Sequence, residues 1–358
     1  MQNIRILQIV ADGSPGGGTT HVLQILRGLS DGWSMGLVTQ RESYLLEAAR
    51  DLGAPTFGVD FFRSRVDPRV PLRLRRLVRD FGAQVVHLHG GRAAFFYALA
   101  FARTPAIYTV HGYHFLHKGP GMRRLALGAE RFAAGRARTL IFVSDHDLRV
   151  ANEYGILRAS AGSKVVRNGI PFTQTQALLS GSLNNIGFIG RLEAPKDPLL
   201  FLDVMERLPG YSATIVGGGA LEDEVRREIR HRGLSDVKML GTLSHLETLE
   251  TISRLGVVVM TSRWEGMPIL PLEALWAGVP VVATRVGGLD EIIEDGKSGL
   301  LVDGRSPVDI AQAVRRVIED ATLRERIVRN GHDRVRSMFS EDQMLSEIYE
   351  IYRRVAKA

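Results

Sequence analysis

Two glutamates, Glu265 and Glu273, have seven residues between them in the stretch TSRWEGMPILPLEALWAGVPVVATRVGGLDEII, which begins at Thr261. The apolar run Val257 to Met260 precedes them and reads as a strand, and the turn Gly266-Met267-Pro268 leads into a helix. The first amides of a helix have no partner within it, so its N-terminus suits an anion. Pro271 fits the first turn, where a missing N–H costs nothing. Glu273 lies about two turns beyond Glu265 and can face the same cleft, where carboxylates suit the paired hydroxyls of a sugar or ribose. Helix capping and compensation of the macrodipole explain two such glutamates equally well on spacing alone.

Three other groups of residues could act with them. Arg191 and Lys196 lie in GRLEAPK, directly after the apolar run Asn185 to Ile189. Two cations at a strand end can neutralise a diphosphate, although Arg-x4-Lys in isolation is ordinary surface charge. Gly16, Gly17 and Gly18 follow the first apolar run and precede a helix expected over Thr19 to Leu29. Glycines there let the backbone approach a phosphate or an acceptor closely. The spacing is not G-x-G-x-x-G, which argues against a plain dinucleotide site and leaves a tight structural turn as the alternative. His111, in YTVHGYHF, ends another apolar run, where open parallel sheets bind ligands. A histidine satisfied within the core is the bland alternative. His87, His89, His111, His114 and His117 carry no carboxylate or cysteine at ligand spacing, so no metal site is expected.

The segment Thr261 to Ile293 resembles the donor-site motif of family-four retaining glycosyltransferases, through its paired glutamates, its EALWAGVPVVA turn and its GGLDEII continuation. That resemblance implies a GT-B fold, with two Rossmann-like doubly wound parallel-sheet domains facing across a cleft. It also implies that Glu273 binds the ribose hydroxyls, that Glu265 faces the donor sugar, and that the amides near Ile269 and Leu270 hold the diphosphate. Arg191 and Lys196 match the diphosphate-binding pair. Gly17 would approach the donor phosphate, and His111 would contact the donor sugar and set the reacting geometry.

The implied activity is transfer of a hexose from a UDP-sugar or GDP-mannose type donor to a hydroxyl of a glycan or lipid-linked acceptor. Retention would follow from a same-face displacement, with no prosthetic group and no metal required. The HGYHF form is similar to that of enzymes building surface polysaccharides on lipid-linked acceptors. Asp145-His146-Asp147 has the D-x-D form of metal-dependent GT-A transferases, but after Ser144 it reads as helix capping. A nucleotide-sugar epimerase of the same fold is the alternative activity.

These residues need a scaffold, and the apolar pattern supplies one. Runs at Ile4 to Val10, Met35 to Thr39, Val85 to Leu88, Ala106 to Val110 and Thr139 to Val143 alternate with helical spacing, as in a doubly wound sheet. The alternation restarts at Asn185 to Ile189, Ala213 to Val216, Val237 to Leu240, Val257 to Met260 and Val279 to Ala283. We therefore expect an acceptor-binding domain over 1–170, a donor-binding domain over 171–340, and a terminal helix over 341–358 packing on a domain surface. The polar stretch Thr173 to Asn184 is the expected linker, and the nucleobase is expected near Met239 to Leu243.

Composition narrows the rest. At 358 residues, two cores are the ordinary outcome. The absence of cysteine removes disulfides, thiolate zinc sites and thiol catalysis. The longest apolar run, Ala93 to Ala102, is too short to span a membrane, and the first residues lack the order of a secretion signal. A cytoplasmic protein is expected, at the inner face of the cell membrane where its basic half meets that surface. The net charge of +7 hides an asymmetry. Residues 1–170 hold 23 Lys and Arg against 12 Asp and Glu, net +11, and residues 171–358 hold 23 against 27, net −4. The basic half should face something anionic. Arg69, Arg73 and Arg76, on a helix over Pro68 to Phe81, together with Gly16, are the candidate acceptor or membrane surface, and a solvated basic helix face is the alternative. No aromatic-rich basic repeat supports nucleic acid as that partner.

Overall fold

The computed structural model describes residues 4–28, 32–64, 66–157, 162–172 and 182–357. The chain divides into two compact units, 1–168 with 342–358, and 169–341. The first unit carries seven strands: β1 (Ile4–Val10), β2 (Trp33–Gln40), β3 (Thr56–Val59), β4 (Val85–His89), β5 (Ala106–Val110), β6 (Thr139–Phe142) and β7 (Gly162–Val165). They lie in the order β3-β2-β1-β4-β5-β6-β7, every neighbouring pair parallel. The second unit carries β8 (Ser182–Ile189), β9 (Ser212–Val216), β10 (Val237–Gly241), β11 (Leu255–Met260), β12 (Val281–Thr284) and β13 (Leu300–Val302), in the order β10-β9-β8-β11-β12-β13. Strand order reverses beside β1 in one sheet and beside β8 in the other, and loops at such switch points form ligand crevices.

The strands absent from the sequence reading, β3, β7 and β13, are edge strands. An edge strand has one hydrogen-bonded neighbour and needs no long apolar run. Thr173 to Gly181, most of the expected linker, lies outside the described residues. Its last three residues, Ser182 to Asn184, belong to β8, because Ser182 pairs with Leu255 of β11.

Period-two alternation divides the first unit into two cores. Leu7, Ile9, Val86 and Leu88 point to one side. Ile6, Val10, Leu37 and Val85 point to the other, where the helix Glu341–Lys357 covers them with Met344, Ile348, Ile351, Tyr352 and Val355. Each large apolar side chain buried there contributes roughly 1.5 to 3 kcal/mol. Gln8, His87, His89 and Thr109 occupy polar positions beneath this helix, all of them buried. The second unit has one main core, with Phe188, Phe201, Ile215, Val257, Val282 and Val314 at its centre.

Candidate active site

In the second unit, the loop after β8 carries Arg191 and Lys196, and the loop after β11 carries Glu265. The structure brings two of the expected residues together: Lys196 Nζ donates to Glu265 Oε1 at 2.5 Å. Ser262 Oγ donates to the same oxygen at 2.6 Å. The carboxylate is only 8% exposed, so the ammonium supplies the charge that burial would otherwise leave uncompensated.

The backbone under this pair is fixed from several sides. Thr261 Oγ1 donates to the carbonyls of Lys196 and Asp197, at 3.1 and 2.8 Å. Asp197 sits at φ +48° as the N-cap of the helix Pro198–Met205, and its carboxylate takes Arg263 Nε at 2.9 Å and the Arg305 guanidinium. Gly287, at φ +58°, lies so close to Glu265 that a Cβ there would stand 1.9 Å from its carbonyl oxygen. Gly217 plays the same part for the first loop, where a Cβ would meet the Gly190 carbonyl at 2.0 Å. Ser262, Asp197, Arg263, Arg305, Gly217 and Gly287 are supporting residues that the sequence reading did not single out. Of these, only the glycines gave a signal, Gly217 in the run Gly217 to Gly219 after an apolar stretch and Gly287 at the start of GGLDEII.

Glu273 lies on the short helix Leu270–Trp276, whose N-cap, Ile269, makes no side-chain cap. Burial pushes its carboxyl up to about 7. The His245 ring, 3.7 Å away, is its charged-pair candidate. Arg191 is exposed and sits 3.4 Å from Glu193. Leu240, at the end of β10 in the segment expected to meet a base, is about half exposed.

In the first unit, the helix expected over Thr19 to Leu29 spans Gly17–Arg27. Thr19 Oγ1 closes its first turn on the Gly16 carbonyl at 2.8 Å. A Cβ on Gly16 or Gly18 would meet nothing within 4 Å, so the protein's own packing does not require glycine at either position. His111 follows β5 and is partly buried. Its Nε2 is 3.2 Å from Nδ1 of His89, and the two rings stack at 20°. Burial lowers the His111 imidazole to about 4 and His87 to about 3, so both rings are neutral near pH 7. The His89 and His21 rings are also held well below the usual imidazole range, by burial first and by the neighbouring rings second.

Ring nitrogens of His21, His89 and His111 lie within 4.8 Å of one another. Among the described residues, two of the five histidines weighed above thus converge, joined by His21 from the glycine-rich loop's helix. His114 and His117 stand apart on the turn His114–His117. The Asp145 to Asp147 motif forms the first turn of the helix Asp145–Glu153, capped by Ser144, whose Oγ accepts from Asp147 N at 3.0 Å.

The basic helix spans Arg69–Phe81. It buries Val70, Leu74 and Val78 and leaves Leu72, Arg73, Arg75 and Arg76 exposed. Arg69 differs from Arg73, Arg75 and Arg76. Its guanidinium is clamped on Asp67, with Nε–Oδ1 at 2.9 Å and Nη2–Oδ2 at 3.0 Å. No helix among the described residues is long and apolar enough to cross a membrane.

Two parallel α/β sheets, each with a loop cluster at its switch point, define the GT-B class of glycosyltransferase, and solved structures of that class share this architecture. The HepE protein of Anabaena, described in complex with UDP and glucose, superposes with a TM-score of 0.84 at 21% identity, covering 98% of this chain and 99% of that one. Residues 172–334 match the family described as glycosyl transferases group 1, and residues 15–174 match glycosyltransferase family 4. Glycogen synthase of Mycobacterium tuberculosis is 29% identical over 86% of this chain and 79% of its own length. The O-antigen biosynthesis glycosyltransferase WbnH of Escherichia coli is 25% identical over 90% and 92%. The chain belongs to glycosyltransferase family four and is a glycosyltransferase of the GT-B type.

Proposed function

We propose that the protein transfers a hexose from a nucleoside diphosphate sugar to a hydroxyl of a glycan or lipid-linked acceptor, with retention of configuration. The Lys196–Glu265 pair, held by Thr261, Ser262 and Gly287 at the switch point of the second sheet, is the observation that carries this reading. Lys196 and Arg191 stabilise the diphosphate as the bond from C1 to its oxygen breaks. The acceptor oxygen attacks C1 on the same face, and its proton passes to the departing diphosphate oxygen. Two protein cations do the work that a metal ion does in other transferases, so the scheme needs no metal.

Glu265 faces the donor sugar and takes hydrogen bonds from its hydroxyls once Lys196 turns to the diphosphate. Glu273 accepts from the ribose hydroxyls, which requires its carboxyl to lose a proton that burial favours keeping. The first amides of the helix, at Ile269 and Leu270, serve the diphosphate. Gly17 approaches the donor phosphate, and His111 takes the sugar as a neutral imidazole. Gly16, Arg73 and Arg76 belong to the acceptor or membrane side, where the net +11 of residues 1–170 favours an anionic surface.

A thermal-shift screen of nucleoside diphosphate sugars tests the donor reading, starting with UDP-glucose because HepE is described with UDP and glucose. A ligand that binds only the folded chain raises its melting temperature. The stabilising donor should then give up its sugar to a glycan or lipid-linked hydroxyl with the anomeric configuration kept. Release of an epimerised free sugar without any acceptor would replace transfer by epimerisation.

A further inference from the structure

The polar residues beneath the helix Glu341–Lys357 form one continuous chain of hydrogen bonds. His87 Nε2 meets Thr109 Oγ1 at 2.6 Å, and His87 Nδ1 meets Tyr352 Oη at 2.6 Å. The Gln8 amide nitrogen donates to Tyr352 Oη at 2.9 Å. Gln8 Oε1 faces His89 Nε2 at 2.8 Å, and His89 Nδ1 faces His111 Nε2 at 3.2 Å. Strand register makes the chain possible. Gln8 of β1 stands opposite His87 of β4, and His89 stands opposite Thr109 of β5, two residues before His111.

Such a chain could run in either direction, and the amide of Gln8 decides which. Its nitrogen also lies 3.7 Å from the Met35 sulfur, which accepts a hydrogen bond but has none to give. The NH2 end therefore faces Met35 and Tyr352, and the oxygen faces His89. An acceptor opposite His89 Nε2 places the proton of that neutral ring on Nε2 and leaves Nδ1 a bare lone pair. That lone pair accepts from Nε2–H of His111, whose remaining nitrogen, Nδ1, is then an acceptor.

We infer that His89, oriented by Gln8 and Tyr352, is a positioning residue that holds His111 in its Nε2–H tautomer, so that His111 offers Nδ1 to a hydroxyl of the sugar. The inference rests on the assignment of His111 to the sugar made above. It explains why three polar side chains occupy strand and helix positions that apolar residues would fill at lower desolvation cost. Burial supports it by keeping every ring of the chain neutral, since a protonated ring would have no lone pair to pass along.

The test is 15N NMR of the full chain labelled at histidine, read beside steady-state transfer with the donor found in the screen. His111 should appear as a single Nε2–H tautomer. Gln8→Leu, which removes the acceptor, should mix the tautomers of His89 and His111. It should lower kcat about tenfold, the worth of one buried hydrogen bond, with little change in donor KM. His89→Phe should do the same, and His89→Gln, whose amide oxygen can accept from His111, should recover most of the loss. If Gln8→Leu does not fold, as judged by circular dichroism, Tyr352→Phe frees the Gln8 amide and should give the same mixing.

An Nδ1–H form of His111 in the parent protein would overturn the inference. So would an unchanged tautomer and kcat in the folded variants, or one zinc per chain released by His21→Ala, because a metal would occupy the lone pairs. Loss of transfer in His111→Ala alone, with both neighbouring variants fully active, would sink the positioning role and leave the transferase reading intact. Undiminished transfer in His111→Ala would instead remove His111 from the chemistry and the inference with it.

Discussion

The two units carry their candidate residues in loops that follow parallel strands of two similar sheets and handle the electrostatics in opposite ways. Around His111 the first unit gathers imidazoles, an amide, a phenol and a hydroxyl, all buried, and burial keeps the rings uncharged. Around Lys196 the second unit keeps full charges and pairs them, with Glu265 on Lys196 and Asp197 between Arg263 and Arg305. An unpaired buried charge costs several kcal/mol, and a buried neutral group costs much less once it is hydrogen-bonded. Neutral groups can therefore be clustered without counter-ions, whereas charges bring their partners with them. A diphosphate calls for the second solution, and the hydroxyls of a sugar for the first.

Substitutions on the two sides should differ accordingly. Lys196→Ala should have the largest effect, lowering turnover roughly 10²- to 10³-fold. On the proposed reading it removes the cation from the diphosphate, and it strands Glu265 in its buried place. Binding of the bare nucleoside should change little, and equal losses for nucleoside and nucleoside diphosphate in calorimetry would erase the contrast. On the neutral side, His111→Ala should cut transfer roughly 10²-fold while nucleoside diphosphate affinity stays near that of the parent. Glu273→Ala should raise the nucleotide dissociation constant roughly 10- to 100-fold through lost hydrogen bonds to the ribose.

The difference in net charge offers a further test. If the basic unit meets an anionic membrane, sedimentation with acidic vesicles should weaken by about 1 kcal/mol for each arginine lost, and salt should release the protein. Arg73, Arg75 and Arg76, reversed to Glu, are the informative set, since Arg69 is already committed to Asp67. Sedimentation equal to that of the parent would leave the helix as a solvated face.

The smallest effect concerns protons. Glu273 and, in the first unit, Glu130, which accepts from Tyr108 at 2.8 Å, are both raised from 4.5 to about 7, chiefly by burial. The folded state thus holds protons that the unfolded chain releases. Stability should fall as pH rises from about 4.5 through about 7, by about 1 to 2 kcal/mol for each group once the site relaxes. Thermal unfolding of Glu273→Gln and Glu130→Gln across that range should show flatter profiles, and a slope unchanged in both would place the titration elsewhere.

Much of the scaffold was legible in the sequence because central parallel strands are continuous apolar runs. β1 and β5 match the runs Ile4 to Val10 and Ala106 to Val110 residue for residue. The edge strands Thr56–Val59 and Gly162–Val165 were not legible, since they look like loop, whereas the edge strand Val237–Gly241 was read from its run Val237 to Leu240. The pairing of Lys196 with Glu265 joins residues 69 apart in sequence, and no spacing rule reaches that far. The polar chain under the terminal helix left a faint trace, in Gln8 within ILQIV and the two histidines of VVHLH. A polar residue at alternate places in an otherwise buried strand marks a position where something else must satisfy it. Tyr352, 344 residues from Gln8, could be supplied only by the fold.

That helix also sets the order in which the molecule can be completed during synthesis. Residues 169–341 form a compact unit between the two pieces of the other, so the ribosome finishes the inserted unit before it releases what the first one lacks. Until Met344 to Val355 emerge, Ile6, Leu37 and Val85 lose the cover they have in the finished chain, and Gln8 has no phenol to donate to. Nascent chains halted near residue 341 would present an apolar sheet face of the kind that chaperones bind and aggregation exploits.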